Sequence, residues 1–415
     1  MDVNNTDRSG VYIGIDISSK YSLISYYQLN MDEPETISTI VGSEAYQIPT
    51  YIAKRNGVGQ WFIGNDARRQ VQMNYATGVD HLYDAAIDDR MIMLDAQEFS
   101  GRELLLIFLR NLMALPGRMY QSAPLKKLTI CVPELSLSVV ELFVMLSGKL
   151  GLSANQIALI DHRESFYYYA LSQAPELFMH DVLLFDYTTS SLTSCVMKRN
   201  TYTKPQVVTL EQRSHGSLIE NRDVEFDRIA EEVMEGEFIS SVYLIGDGFD
   251  DDWMKVSLAR LCRGRRVFMG KNLYSKGACY AGAIKDGTRD WPFIYIGDNE
   301  LKMNLALKVS DRNEMKFINL LNAGENWYET GGECEVILDG TPEIEVWVQR
   351  LDSRQTRIEV LELRDLPYRE NRTTRLRIIA KVQSDRQALI EIKDLGFGEF
   401  VPTTGKVWKH TIGIA

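Results

Sequence analysis

Short apolar runs and amphipathic stretches alternate along the chain up to about residue 285. Residues 11–29 read as two strands, VYIGIDI and YSLISYYQL, joined by the turn SSK. YQIPTYIAKRNGVGQWFIG (46–64) reads as strand, glycine-containing turn and strand, and a helix is predicted from about Asp66, with Ala67, Val71 and Tyr75 on one side. GRELLLIFLRNLMA (101–114) predicts a helix, LKKLTICVP (125–133) a buried strand that stops at Pro133, and residues 134–152 a helix with Leu135, Val139, Leu142 and Leu146 on its apolar face. QIALIDH (156–162) predicts a strand and ESFYYYALSQ (164–173) a helix in which Tyr167–Tyr169 pack inward. Two strands around a polar turn follow in 181–199, then a helix over 223–235, a strand and turn over 241–253, a helix from Trp253 capped by Asp250–Asp252, and a small-residue helix GACYAGAIK (277–285). Alternating strands and helices predict an α/β domain.

The pattern changes after residue 286. FIYIG, LKMNLALKV, FINLLN, CEVILDG, EIEVWVQRL, RIEVLEL, TRLRIIAKV, ALIEIKD and VWKHTI alternate apolar and polar positions, and turn clusters such as DGTPE, YRENR and TTGK separate them. That pattern predicts an all-β sandwich or barrel. The boundary falls in DGTRDW (286–291), giving domains of 1–286 and 287–415.

Length and charge narrow the picture. The 415 residues exceed one ordinary core and imply two or three domains. A net charge of −11 argues against nucleic acid as the main partner. No apolar run approaches the ~20 residues of a membrane span, and the polar start MDVNNTDRSG has no signal-peptide core. Five scattered cysteines, mostly in apolar runs, predict buried free thiols in a reducing, cytoplasmic setting. With no Cys-x-x-Cys and five widely spaced histidines, a zinc site has little support.

The candidate chemistry starts at Asp16. A strand ending in Asp before a turn of small residues can orient a Mg²⁺-bound water, with the turn's N–H groups facing an anion. The plainer reading is an aspartate that caps a turn. A second strand–Asp–turn occurs at Asp186, and further pieces follow in order: Ile48-Pro49-Thr50-Tyr51, Ile63-Gly64 with Ala67-x-x-Gln70-Val71-x-Met73-Asn74, Val132-Pro133, Phe185-Asp186, Leu244-Ile245-Gly246-x-Gly248, and the helix Asn272–Ala283.

This order resembles the DnaK-type heat-shock chaperones of the actin-like ATPase superfamily over nearly the whole chain. The resemblance implies an α/β actin-like (ribonuclease H-like) nucleotide-binding domain followed by a peptide-binding β-sandwich. It also implies ATP or ADP with Mg²⁺ as cofactors. Carried over by motif, Asp16 and Asp186 hold the metal, Arg68 takes the place of the family's phosphate-contacting lysine, and Gly14, Ser18, Ser19, Lys20, Thr188 and Thr189 line the phosphates. Gly246 and Gly248 border the adenosine. A family glutamate falls near His162 or Glu164.

The departures are specific. The first loop lacks its glycine, and Tyr187, Thr188, Thr189, Ser190 and Ser191 replace a glycine run in the second, where β-branched residues disfavour positive φ. The stretch from Asp186 to Gly246 is too short for the family's outer subdomain over the adenine. The leucine-rich linker is replaced by DGTRDWPF, and the helical lid has no counterpart after the β domain. Arg68 with Arg69 reads equally as a solvated helix face. The expectation is therefore a chaperone-like or regulatory protein-interaction protein with a degenerate nucleotide site. The alternative is a slow Mg²⁺-dependent ATPase; a small-molecule kinase fits less well. A protein or peptide partner is expected on the β domain, with Trp327 and Tyr328 as exposed contacts in the loop 321–333.

Overall fold

The computed structural model describes residues 10–40, 42–116, 123–188, 191–312, 314–350 and 356–413. They form two compact units. One comprises the described residues up to Arg199 with Leu210–Pro292, and the other Asn200–Thr209 with the described residues from Phe293 onward.

The first unit is mixed α/β. Its chain opens with β1 (Val11–Ile17), β2 (Tyr21–Tyr27), β3 (Glu35–Thr36) and β4 (Ile48–Pro49). A small excursion follows: β5 (Ile52–Arg55), β6 (Trp61–Ile63), α1 (Gly64–Gln72), β7 (Ala76–Val79), α2 (Leu82–Ile87), the hairpin β8 (Met91–Leu94) and β9 (Gln97–Ser100), and α3 (Gly101–Ala114). The chain then returns as β10 (Leu125–Val132), α4 (Leu137–Leu150), β11 (Ile157–Asp161) and α5 (His162–Leu171). The sheet order is β11-β10-β1-β2-β3, with β4 paired to β2. β1 is fully buried along its length, as a continuous apolar run between two neighbours requires. It runs antiparallel to β2 and parallel to β10, which is parallel to β11.

The same plan recurs. β12 (Asp181–Thr188), β13 (Ser191–Asn200), β14 (Gln206–Gly216), α6 (Arg222–Met234), β15 (Ile239–Ile245), α7 (Val256–Leu261), β16 (Arg266–Gly270) and α8 (Leu273–Lys285) follow in sequence. Here the order is β16-β15-β12-β13-β14. β12 runs antiparallel to β13 and parallel to β15, and β15 is parallel to β16. Each sheet thus starts from a central strand with an aspartate near its end, turns back as a hairpin, and adds two parallel strands on the other side.

Several local expectations change. Tyr75 lies beyond α1 and is exposed rather than on its inner face. α7 starts at Val256, not Trp253, and Asp250–Asp252 do not cap it. The carboxylate of Asp223, at the start of α6, accepts from the amides of Lys255, Val256 and Ser257 and from the Ser257 hydroxyl, at 2.6–3.0 Å. These bonds outweigh the cost of desolvation and lower the Asp223 pKa to about 2.

The second unit holds β17 (Phe293–Tyr295), β18 (Met303–Asp311), β19 (Glu314–Leu321), β20 (Gly331–Ile337), β21 (Glu343–Arg350), β22 (Thr356–Glu362), β23 (Arg375–Ser384), β24 (Gln387–Asp394) and β25 (Val407–Gly413). Two antiparallel sheets form, β19-β18-β21-β22 and β20-β23-β24-β25. Alternate residues such as Leu305, Leu307, Val346, Val348, Ile378, Ile390 and Ile392 make their shared core. The unit boundary lies at Pro292/Phe293 rather than in 286–291. Asn200–Thr209 joins this unit because Gln206–Val208 pairs in parallel with β17.

One charged node sits at the edge of that core. Asp394 is fully buried, accepts a bidentate pair from Arg369 (2.8 and 2.9 Å), and accepts from Gly396 N, Thr404 N and Thr404 Oγ1. Those donors outweigh burial and hold its carboxyl well below the usual range. Arg369→Ala leaves that carboxylate without its cation and is expected to lower stability by about 3–5 kcal/mol. Urea denaturation of the full chain checks this; a loss below about 1 kcal/mol would contradict it.

Candidate functional site

The two halves of the first unit place equivalent aspartates at equivalent points. Asp16 stands near the end of β1 and Asp186 near the end of β12. In each half, the helix after the last parallel strand begins beside that aspartate and supplies its partner. From the first residue of α5, His162 Nε2 lies 2.8 Å from Asp16 Oδ1. From the first turn of α8, the Tyr274 hydroxyl donates to Asp186 Oδ2 at 2.9 Å. The two partners meet: the His162 and Tyr274 rings stack, with centroids 3.7 Å apart and planes inclined by 12°. The result is a continuous bridge, Asp16–His162 stacked on Tyr274–Asp186.

The backbone is fitted to this arrangement. α8 lies so close to β1 that a Cβ on Gly14 would come within 2.2 Å of the Ser275 carbonyl oxygen. Ser275 Oγ shares a 2.8 Å hydrogen bond with Ser25 Oγ on β2, and Ser165 Oγ on α5 donates to the Tyr274 carbonyl at 2.7 Å. Gly14 is thus required by helix packing.

Electrostatics follow from the geometry. Burial opposes the His162 imidazolium, but Asp16, with smaller contributions from Asp186 and Asp161, more than offsets it and raises its pKa. Burial raises the Asp186 pKa, against the His162 charge and the Tyr274 hydrogen bond. Burial and Asp186 keep the Tyr274 phenol protonated far above its usual range.

The expected phosphate-lining residues have internal partners. Ser18 Oγ donates to the Tyr21 carbonyl at 2.9 Å and Ser19 Oγ to Asp84 Oδ1 at 2.7 Å. Lys20 Nζ donates to Asp247 Oδ2 at 3.0 Å, and Gln47 Nε2 donates to the other oxygen of that carboxylate at 2.8 Å. This is a second tie between the halves. Thr188 is exposed and donates to the Ser191 carbonyl at 3.3 Å, and Thr189 lies outside the described residues. Arg68 is exposed on α1, its guanidinium 5.8 Å from the Tyr51 ring centroid.

Gly246 and Gly248 border a filled space. A Cβ on Gly246 (φ 101°) would lie 2.3 Å from the Tyr187 carbonyl oxygen, and one on Gly248 2.4 Å from the Tyr187 ring. Arg222 and the Trp253 indole N–H both donate to the Gly248 carbonyl, and the Arg222 guanidinium lies over the Trp253 ring. The Tyr187 side chain and carbonyl therefore occupy the surroundings of these glycines.

As a Mg²⁺-nucleotide site these residues fit poorly: both aspartates, Lys20 and the glycine turn are engaged within the chain. The groups near Asp16 have another character. Asp16, Cys131 on β10 and His162 each offer a ligand atom, and all three atoms lie within 4.8 Å of one another. A thiol does not suit Mg²⁺, which takes oxygen ligands.

Trp327 and Tyr328, expected to be exposed, are half-buried and pack edge to face, with centroids 5.6 Å apart. The exposed aromatic and aliphatic residues of that unit lie elsewhere. On the sheet β19-β18-β21-β22, the register aligns Trp347 with Ile358, and Phe317 with Lys308. Phe317, Met315, Ile358 and Val360 are exposed, and Phe317 packs edge to face on Trp347. The signal for this exposed face is the repeated aromatic or aliphatic residue at outward positions of FINLLN, EVWVQ and RIEVLE.

The pH dependence of the bridge has a definite sign. The folded pKa of His162 is raised, so its contribution is complete below the unfolded value of about 6.5 and is lost as pH rises through the folded pKa. Wild type is expected to lose stability relative to His162→Gln as pH rises above about 6.5, read by urea denaturation at each pH. Parallel pH profiles for the two proteins would contradict the assignment.

Comparison with known proteins gives no curated relative. Residues 300–414 match a domain of unknown function, DUF8552. Residues 33–298, more than half of the chain, match the C-terminal region of the family of unknown function DUF5716, and the chain belongs to that family.

Proposed function

We propose that this protein works by binding another polypeptide, as a chaperone-like or regulatory interaction protein, on an actin-like first unit whose nucleotide site no longer serves turnover. The repeated β-hairpin-plus-parallel-strand plan, with an aspartate near the end of each first strand, supports the actin-like reading. The observation that carries the functional reading is the Asp16–His162, Tyr274–Asp186 bridge. Phosphoryl transfer needs carboxylates free to orient metal-bound waters and donors free to cradle phosphate. Here the carboxylates are held by a histidine and a tyrosine, and Lys20 is held by Asp247.

Binding is the role that remains, and the outer face of β19-β18-β21-β22 supports it. Phe317 on β19 packs on Trp347 on β21, whose register partner on β22 is the exposed Ile358. Exposed Val360 lies two residues on, with Lys308 and Glu345 between Phe317 and Val360. The face offers aromatic and aliphatic contact interleaved with charge. An unfolded or extended polypeptide with apolar side chains is the partner such a face suits.

Two measurements test the reading. Isothermal titration with millimolar ATP or ADP and Mg²⁺ is expected to give no binding heat. Mg²⁺-dependent binding that vanishes in Asp16→Ala and Asp186→Ala would instead favour the slow ATPase. The full chain is also expected to suppress aggregation of reduced α-lactalbumin, and Phe317→Glu with Val360→Glu to weaken that effect several-fold without lowering the thermal midpoint. Equal suppression by the variant, or none by wild type, would overturn the binding role of this face.

A further inference from the structure

We infer that Asp16, Cys131 and His162 form a binding site for a borderline-soft divalent cation of the zinc class. Three elements supply the three donors. Asp16 and Cys131 are register partners on the parallel strands β1 and β10, and His162 opens α5 directly after β11. A carboxylate oxygen, a thiol sulfur and an imidazole nitrogen, all within 4.8 Å of one another, are a mixed O/S/N set. Tetrahedral zinc, with metal–ligand bonds of about 2.0–2.3 Å, sets ligand atoms roughly 3.2–3.8 Å apart. Only small shifts separate the present positions from that spacing.

The surroundings have the features such a site needs. Cys131 is fully buried in the middle of the sheet, so its position is fixed. The side chains of His162 and Asp16 keep 21% and 12% of their exposure, which leaves a way in and an open position for water. Binding exchanges protons for metal: the Cys131 thiol proton, and the proton shared by Asp16 and His162, pass to solvent as the cation takes their place. The thiolate excludes Mg²⁺ and selects zinc or its analogue Co²⁺.

The inference goes beyond the nucleotide question, and its test contains no nucleotide. Co²⁺ is titrated into the reduced full-length protein, and the absorption spectrum is recorded. The expected result is a thiolate-to-cobalt charge-transfer band in the near ultraviolet, with the intense visible bands of a tetrahedral site, saturating at a single cobalt per chain and erased by Zn²⁺. Cys131→Ser should abolish the charge-transfer band, and His162→Gln should weaken binding at least tenfold. Cys262→Ser, which removes an exposed thiol outside the site, should leave the spectrum unchanged. Absence of the band in wild type overturns the site whatever the variants do. Persistence of the band in Cys131→Ser, or its loss in Cys262→Ser, overturns the assignment of its ligands. A failed ATP titration has no bearing on any of these outcomes.

Discussion

Two carboxylates near the ends of two central strands must be satisfied without bulk water, and the rest of the first unit is arranged around that need. Leaving a buried carboxylate unpaired costs several kcal/mol or forces its protonation. Here each aspartate takes a hydrogen-bonding ring from the helix that begins beside it, and the two rings stack. Asp16 favours the charged form of His162 beside it, against burial, and Tyr274 supplies a neutral donor to Asp186. The tight α8–β1 contact at Gly14 and the buried Ser25–Ser275 bond set the height of α8, and therefore the height of Tyr274.

Similar logic ties down the surrounding turns. Asp247 accepts from Lys20 and Gln47, joining the first hairpin turn to the loop after β15. Tyr187 fills the space beside Gly246 and Gly248, and its carbonyl approaches the first of them so closely that only glycine is accommodated. In the second unit, Asp394 is buried with Arg369 and a ring of backbone and hydroxyl donors. In each case a charged group at the edge of a core is matched locally, and its partner fixes a loop.

The sequence made much of the architecture legible because its signals were local. Nine alternating runs after residue 291 correspond to β17–β25, and the continuous apolar run of VYIGIDI is the fully buried β1. The bridge was not legible in the same way. Asp16 and His162 are 146 positions apart, and Asp186 and Tyr274 are 88 apart, so no spacing rule joins them. The clue was the repeat: two strand–Asp–turn segments, each followed directly by a returning strand. The cap of α7 was missed for the same reason, since Asp223 reaches it from another helix while the nearer Asp250–Asp252 run is not used. Trp327 and Tyr328 looked exposed because their loop is rich in glycine and polar residues, yet they pack on each other. Cys131 looked like an ordinary core thiol; only the register of β1 with β10 puts it beside Asp16.

The central claim is that the halves are joined through their own side chains at the two aspartates. A double-mutant cycle on His162→Ala and Tyr274→Ala tests it most directly, with unfolding free energy as the readout. The stack predicts a coupling of about 0.5–1.5 kcal/mol between the two positions. Strictly additive effects would mean that the rings do not support one another and that the bridge is not the element holding the site closed.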